Sequence, residues 1–209
     1  MSLYNMIQGR SLDRLAALSD GIFAFAMTLL VLDLHLPSPD QVHGEAELLH
    51  ALGGFGPQWA TYGMSFLTLG IFWAGQQTQL DHIGEGTRDL TWIHLAFLFA
   101  VTLLPLSTRL LAEFITYRSA LLIYWLNILA LGATLYWSWK LATHEGLIKP
   151  DTPEEVRASI CKRIVIAQSL YAAGAALCII NTWVSIGAIV LVQLNYAIAP
   201  RLGRRKKKG

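Results

Sequence analysis

Arg14-Leu15-Ala16-Ala17-Leu18-Ser19-Asp20-Gly21-Ile22-Phe23-Ala24-Phe25-Ala26-Met27-Thr28-Leu29-Leu30-Val31-Leu32, running on to Leu36, is the stretch on which the fold turns. After Asp20 it carries twelve residues without a charge, and from Leu15 to Leu36 it is long enough to cross a bilayer. Crossing takes roughly 20 mostly apolar residues, because about 30 Å of hydrocarbon divides by about 1.5 Å of rise per residue. Five further segments qualify: Trp59–Gln77, Thr91–Leu111, Ala120–Leu141, Ile164–Ile180 and Thr182–Pro200. The last two are joined by little more than Asn181, which predicts a tight helical hairpin. The expected fold class is therefore all-α and integral to the membrane, a single domain of six transmembrane helices over residues 1–209.

Composition agrees with this. The chain has 209 residues, of which 54% are hydrophobic and only 14% charged, with a mean hydropathy of +0.46. A soluble domain so composed lacks the polar surface to cover itself. Asp13 and Asp20 interrupt the N-terminal region, so no cleavable signal peptide is expected. Cys161 and Cys178 read as reduced thiols of a buried apolar run. No soluble domain, long linker or internal repeat is visible.

Orientation follows from the placement of Lys and Arg. With an even number of spans, fourteen of the sixteen fall on one side: Arg10, Arg14, Arg88, Lys140, Lys149, Arg157, Lys162, Arg163 and the six between Arg201 and Lys208. Only Arg109 and Arg118 fall on the other. Both termini are therefore expected in the cytosol. The first outer loop, Asp33 to Leu52, carries Asp33, Asp40, Glu45 and Glu47 and no Lys or Arg. The terminal Arg204-Arg205-Lys206-Lys207-Lys208 run follows a membrane helix directly, so it reads as an anchor to anionic lipid, with no nucleic-acid partner expected. Thr152-Pro153-Glu154-Glu155 reads as a capping box with Pro at the first helical position, opening a helix that continues into the fifth span.

Asp20 is the sharpest local signal, because a charge inside a span costs roughly 2.5–3.5 kcal/mol at its centre and less toward the interface. Such a residue faces protein, water or a partner, or simply hydrates a helix end. Farther along, Phe25, Leu29 and Leu32 fall at i, i+4 and i+7 and share one helical face, with Thr28 beside them. Such a stripe suits packing, lipid contact or a pore lining alike. Thr28 alone need only bond the carbonyl of Ala24.

The run Arg14 to Gly21 resembles the signature of the transmembrane protein 175 family of lysosomal and prokaryotic potassium channels, which opens its first helix with Arg, three variable residues and Phe-Ser-Asp. Leu18 stands at the Phe position here. Ser65-Phe66 with Trp73 is similar to the family's second helix. Trp92 through Leu95 with Leu103-Leu104-Pro105-Leu106-Ser107-Thr108 is similar to the third. Gln76-Gln77 stands where histidines are frequent, and His94 where Asn is usual. The likeness covers roughly residues 10–110, and the last three helices only by hydropathy. It implies a homotetramer in which the first helix of each subunit lines the pore. Phe25, Leu29 and Leu32 then match an apolar pore-facing stripe, and Thr28 a threonine implicated in selectivity. Arg14, Ser19, Asp20 and Gly21 match the polar motif that supports this helix. Phe25 is bulkier than the Ile or Leu common at its position.

Four copies of that helix would set apolar rings in the conduction path, and narrow apolar rings gate by dewetting. The expected function is a potassium-preferring cation channel in a prokaryotic plasma membrane. Its expected partners are itself, the lipid bilayer and monovalent cations, with K+ as permeant ion, no cofactor and no enzymatic activity. The alternative is a proton-coupled secondary transporter with Asp20, Asp33 and His94 as relay residues, although transporters usually show two related halves with interrupted helices. Other classes fit less well. Leu52-Gly53-Gly54-Phe55-Gly56 lacks the Thr of a potassium filter strand, and its Gly54-Phe55-Gly56 is expected to be a loop before the second helix. No span has arginine at every third position, as a voltage sensor would. His35, His43 and His50 share the outer loop without a metal-binding helical motif.

Overall fold

The computed structural model describes residues 12–32, 34 and 42–198. The described residues form seven α-helices: α1 (Leu12–Leu32), α2 (Glu45–Gly54), α3 (Gly56–His82), α4 (Arg88–Glu113), α5 (Arg118–His144), α6 (Glu154–Ala176) and α7 (Thr182–Ile198). A short 3₁₀ turn, Leu177–Ile179, follows α6. Each of the six expected spans has its helix, and the fold is all-α. Four of them, α1, α4, α5 and α6 with its 3₁₀ turn, are long and apolar enough to cross a membrane. With 27 residues α3 is long enough but too polar on average, and α7, with 17, is short.

Three expectations need correcting. The first helix ends at Leu32 and not at Leu36, since Leu34 lies outside it, its N–H donating to Val31 O at 3.2 Å. The stretch Gly54–Gly56 is not a loop: Gly54 closes α2, Gly56 opens α3, and Phe55 alone separates them. None of the residues of α2 is buried, so it is a helix that no core pattern could announce. At α6, Pro153 is the N-cap and not the first helical residue, and no side-chain cap bond forms there.

The ends of the helices sort into two groups. The turns after α3 and α5 meet, with Gly84 N donating to Leu147 O at 2.8 Å and Lys149 N to His82 O at 2.9 Å. This contact is made possible by the exit from α5. Gly146 has φ +70°, and the N–H groups of Gly146 and Leu147 reach back to Thr143 O and Ala142 O. That is the paired bonding of a Schellman cap, which favours Gly because a Cβ crowds the left-handed backbone. Leu147 and Ile148 are thereby carried into a cluster with Ile83, Leu90, Trp139, Ala142 and Ile160. At the opposite end, Arg118 Nη2 donates to Ile179 O at 2.9 Å. By helix direction, Arg88, Lys140, Lys149 and Arg157 lie toward the first end, and Arg109 and Arg118 toward the second.

The main core is centred on α1, α3, α4 and α5, with Tyr171 of α6, Cys178 of the 3₁₀ turn and Ile186 and Ile189 of α7 packed into it. Phe23 meets Phe97 at 5.9 Å between ring centroids, and Phe72 meets Phe97 at 6.5 Å. The expected hairpin of α6 and α7 forms as well. Asn181 Oδ1 accepts from Trp183 N at 2.7 Å and caps α7, while Ser185 Oγ donates to Gly174 O at 2.6 Å. The two helices meet closely here. A Cβ on Gly174 would stand 3.2 Å from Ile189 Cγ1 and 3.6 Å from the Ile189 backbone N. Gly174→Leu should therefore destabilise the protein by about 1–3 kcal/mol, the usual cost of overpacking. Thermal unfolding in detergent measures it, with Gly187→Ala as the unaffected control, since a Cβ there meets nothing within 4 Å.

Candidate ion pathway and its polar support

Helix α1 has two unlike faces. Leu15, Ser19, Phe23, Ala26 and Leu30 recur every three or four residues and are buried. Across the helix, Phe25 is 66% exposed and Leu32 75% exposed, and Thr28 is exposed beside them. Leu29 lies half-buried at the border. The stripe named from sequence thus points away from its own subunit, while Phe23, two residues from Phe25, is 2% exposed in the core. Thr28 Oγ1 donates to Phe25 O at 2.8 Å and not to Ala24 O. With its proton used inside the helix, the hydroxyl oxygen keeps its lone pairs on the open side.

Ser19, on the buried face, begins a polar chain through four helices. Its hydroxyl donates to Gln76 Oε1 on α3. Gln76 Nε2 lies 3.3 Å from His94 Nδ1 on α4, and His94 Nε2 lies 3.0 Å from Ser138 Oγ on α5. None of the four side chains is more than 1% exposed. An amide N–H can only donate, so with the amide in this orientation His94 Nδ1 accepts and Nε2 carries the proton toward Ser138. Asp20 makes a second attachment on the outer side, accepting from Trp73 Nε1 at 2.7 Å and from Gln77 Nε2 at 2.8 Å.

The adjacent pair Ser19-Asp20 therefore grips α3 twice, once through the interior and once at the surface. Gln76 and Gln77, which stand where the family often has histidines, receive it together with Trp73. His94, another departure, extends the interior chain to α5. Arg14 is exposed in the first turn and a half of α1. Gly21 is exposed, and a Cβ there would meet nothing within 4 Å. Asp33 and His35 lie outside the described residues. Among the described residues no group of three or more His, Cys, Asp or Glu side chains gathers as a metal site.

A second buried network escaped the sequence reading. Thr108 Oγ1 donates to Ser65 Oγ at 2.7 Å, Ser65 Oγ to Tyr124 OH at 3.2 Å, and Gln193 Nε2 to Thr68 Oγ1 at 2.7 Å. Thr68 Oγ1 and Tyr124 OH are 3.0 Å apart, which closes the chain. It ties α3, α4, α5 and α7 together. The available signal was Gln193, a polar side chain amid an apolar run, since a buried amide requires a partner.

The family profile described as endosomal/lysosomal potassium channel TMEM175 matches residues 14–105, from the first turn of α1 to Pro105 in α4. A Streptomyces collinus protein named as a potassium channel is 30% identical over 188 residues, covering 88% of this chain and 90% of its own. The chain belongs to the TMEM175 family. The crystal structure of a lysosomal potassium-selective channel TMEM175 homolog from Chamaesiphon minutus superposes with a TM-score of 0.79 at 27% identity, covering 90% of this chain and 97% of that one. The mouse endosomal/lysosomal proton channel TMEM175 is 33% identical over 109 residues, which is half of this chain and 22% of the mouse protein. The TMEM175 profile spans both attachments of α1, the stripe beyond them and three of the four helices joined by the interior chain. The fold likeness extends across α5, α6 and α7, where the sequence offered only hydropathy.

Proposed function

We propose that the chain is the subunit of a potassium-preferring cation channel, a homotetramer in which α1 of each subunit lines the pore. The observation that carries this reading is the outward stripe of α1, with Phe25 and Leu32 bare and Thr28 between them, on a helix whose other face is fixed in its subunit. A symmetric ring covers such a face and gives it a use. Phe25, Leu29 and Leu32 form the hydrophobic constriction, closed when it dewets. Thr28 supplies hydroxyl oxygens to the passing K+. Arg14, Ser19, Asp20 and Gly21 belong to the motif that supports the pore helix.

The topology that goes with this reading is a single six-helix transmembrane domain over residues 1–209. Both termini are cytosolic, because the end bearing Arg88, Lys140, Lys149 and Arg157 is the positive one. The membrane is the plasma membrane of a prokaryote. The potassium preference is supported by the bacterial relative named as a potassium channel, which is matched along most of its length. The relative named as a proton channel is matched along less than a quarter of its own.

Purified protein in planar bilayers under opposed potassium and sodium gradients tests the reading. Single-channel current reversing toward the potassium equilibrium potential is the expected result. Current that follows a pH gradient alone marks a proton path, and saturable countertransport marks a transporter. Thr28→Ala should retain conduction, since the pore width barely changes, while the reversal potential moves toward zero as four hydroxyls are lost.

A further inference from the structure

Away from α1, a groove of about 440 Å³ lies between α3, α5, α6 and α7. That volume is in the range of small-molecule and lipid-chain sites. Its floor on α3 is made of small residues, Gly70, Ala74 and Gly75, and apolar side chains such as Ile71, Leu135 and Ile164 wall it. Among the described residues, Arg163 is the one charged residue that lines it. Arg163 is exposed, and among the described residues no carboxylate pairs with it. It lies at the end where Thr78 and Gln79 of α3 and Ala197 of α7 also reach the groove.

The groove is also chemically unfinished. Gln79, Gln168 and Tyr171 line it, and among the described residues Gln79 Oε1, Gln168 Oε1 and Tyr171 OH are buried without a hydrogen-bond partner. The side chains of Gln79 and Tyr171 are each 1% exposed. Each glutamine has spent its donor half on a helix carbonyl, Gln79 on Leu135 O at 3.1 Å and Gln168 on Ile128 O at 3.3 Å. Orphaned buried polar atoms are rare in a finished structure and point to an absent partner. An occupant that satisfies all of this needs an apolar tail, oxygen or hydroxyl functions part-way along it, and an anionic head.

We propose that this groove binds an anionic phospholipid of the leaflet that bathes Arg163, with the acyl chain along Gly70, Ala74 and Gly75 and the phosphate on Arg163. The Tyr171 hydroxyl donates to an ester oxygen, and the glutamine oxygens accept from water that the lipid carries in below its phosphate. The site is separate from the outward stripe of α1, so it does not depend on the conduction reading.

Native mass spectrometry of the full chain in detergent, titrated with phosphatidylglycerol or with phosphatidylcholine of the same acyl chains, tests it. Phosphatidylglycerol should bind at least about fivefold more tightly, the size expected of one membrane-facing positive charge. Arg163→Gln should remove that preference, and Arg163→Lys should restore most of it. Lys162→Gln should change nothing, because Lys162 is exposed next door but does not line the groove. Gly70→Leu should weaken both lipids, since a Cβ on Gly70 meets nothing within 4 Å and its side chain would grow into the space of the tail. If Gly70→Leu does not fold, the Arg163 and Lys162 pair decides alone. Equal binding of the two lipids, or equal losses in Arg163→Gln and Lys162→Gln, overturns the proposal. So does unchanged binding in a folded Gly70→Leu, or cross-linking that finds a second copy of the chain seated in the groove.

Discussion

Phe25→Asn should raise the resting current of the reconstituted channel by roughly tenfold, and Phe23→Asn should not raise it at all. The two phenylalanines differ in what they touch: Phe25 is bare at 66% exposure, and Phe23 is packed on Phe97 at 2%. In the proposed tetramer, four Phe25 side chains ring the axis and exclude water when the constriction closes. Four amides in their place hold water, and a shift of about 1.4 kcal/mol in the wetting balance is enough for tenfold in a mostly closed gate. Shorter closed intervals in single-channel records are the signature to measure. Phe23→Asn instead buries an amide in an apolar core, so it should lower expression and thermal stability. Should Phe23→Asn open the pore while Phe25→Asn leaves it shut, the stripe assigned to the axis is the wrong one.

Gln76→Leu should be among the most damaging substitutions outside that stripe. It orphans the Ser19 hydroxyl and one ring nitrogen of His94 together, both inside the subunit. An unsatisfied buried group costs about 1–3 kcal/mol. Hydrogen bonds between membrane helices average only about 0.6 kcal/mol, because the loosened helices find other partners. Here the packed surroundings of Gln76 leave little room for that, and about 2–4 kcal/mol is the expected loss. A fall in the thermal midpoint in detergent, with lower recovery of assembled protein, measures it. Thr134→Val is the matched control, because Thr134 bonds only carbonyls of its own helix. If the two variants unfold alike, the interior chain contributes nothing to stability.

The helices were legible because burial and length leave few choices for an apolar run of some twenty residues, and the signature from Arg14 to Gly21 marked the family. Partnerships were not legible. Gln76, Gln77 and His94 stood out in the sequence as residues of an unexpected kind. That Gln76 meets Ser19 and His94 while Gln77 meets Asp20 depends on how α1, α3 and α4 cross, which no spacing along one helix encodes. Gln193 and Tyr124 were hidden for the same reason, since their partners lie on other helices. Helix α2 was missed for the opposite one. With Leu48, Leu49 and Leu52 at least partly exposed and no buried residue, it leaves no core-facing pattern to read.

The two grips of Ser19 and Asp20 on α3 have a mechanical consequence. Past Asp20, among the described residues, α1 makes no side-chain hydrogen bond to another helix, for Thr28 spends its own within α1. Phe23, Ala26 and Leu30 hold the remainder by packing alone. The helix is thus a cantilever, pinned by hydrogen bonds near its base and held beyond it by apolar contacts alone. From Asp20 to Leu32 the arm is about 18 Å long at 1.5 Å per residue. A tilt of about 5° moves Phe25 by roughly 0.7 Å and the tip at Leu32 by roughly 1.6 Å. Small angular play at the pinned end becomes its largest displacement at Leu32.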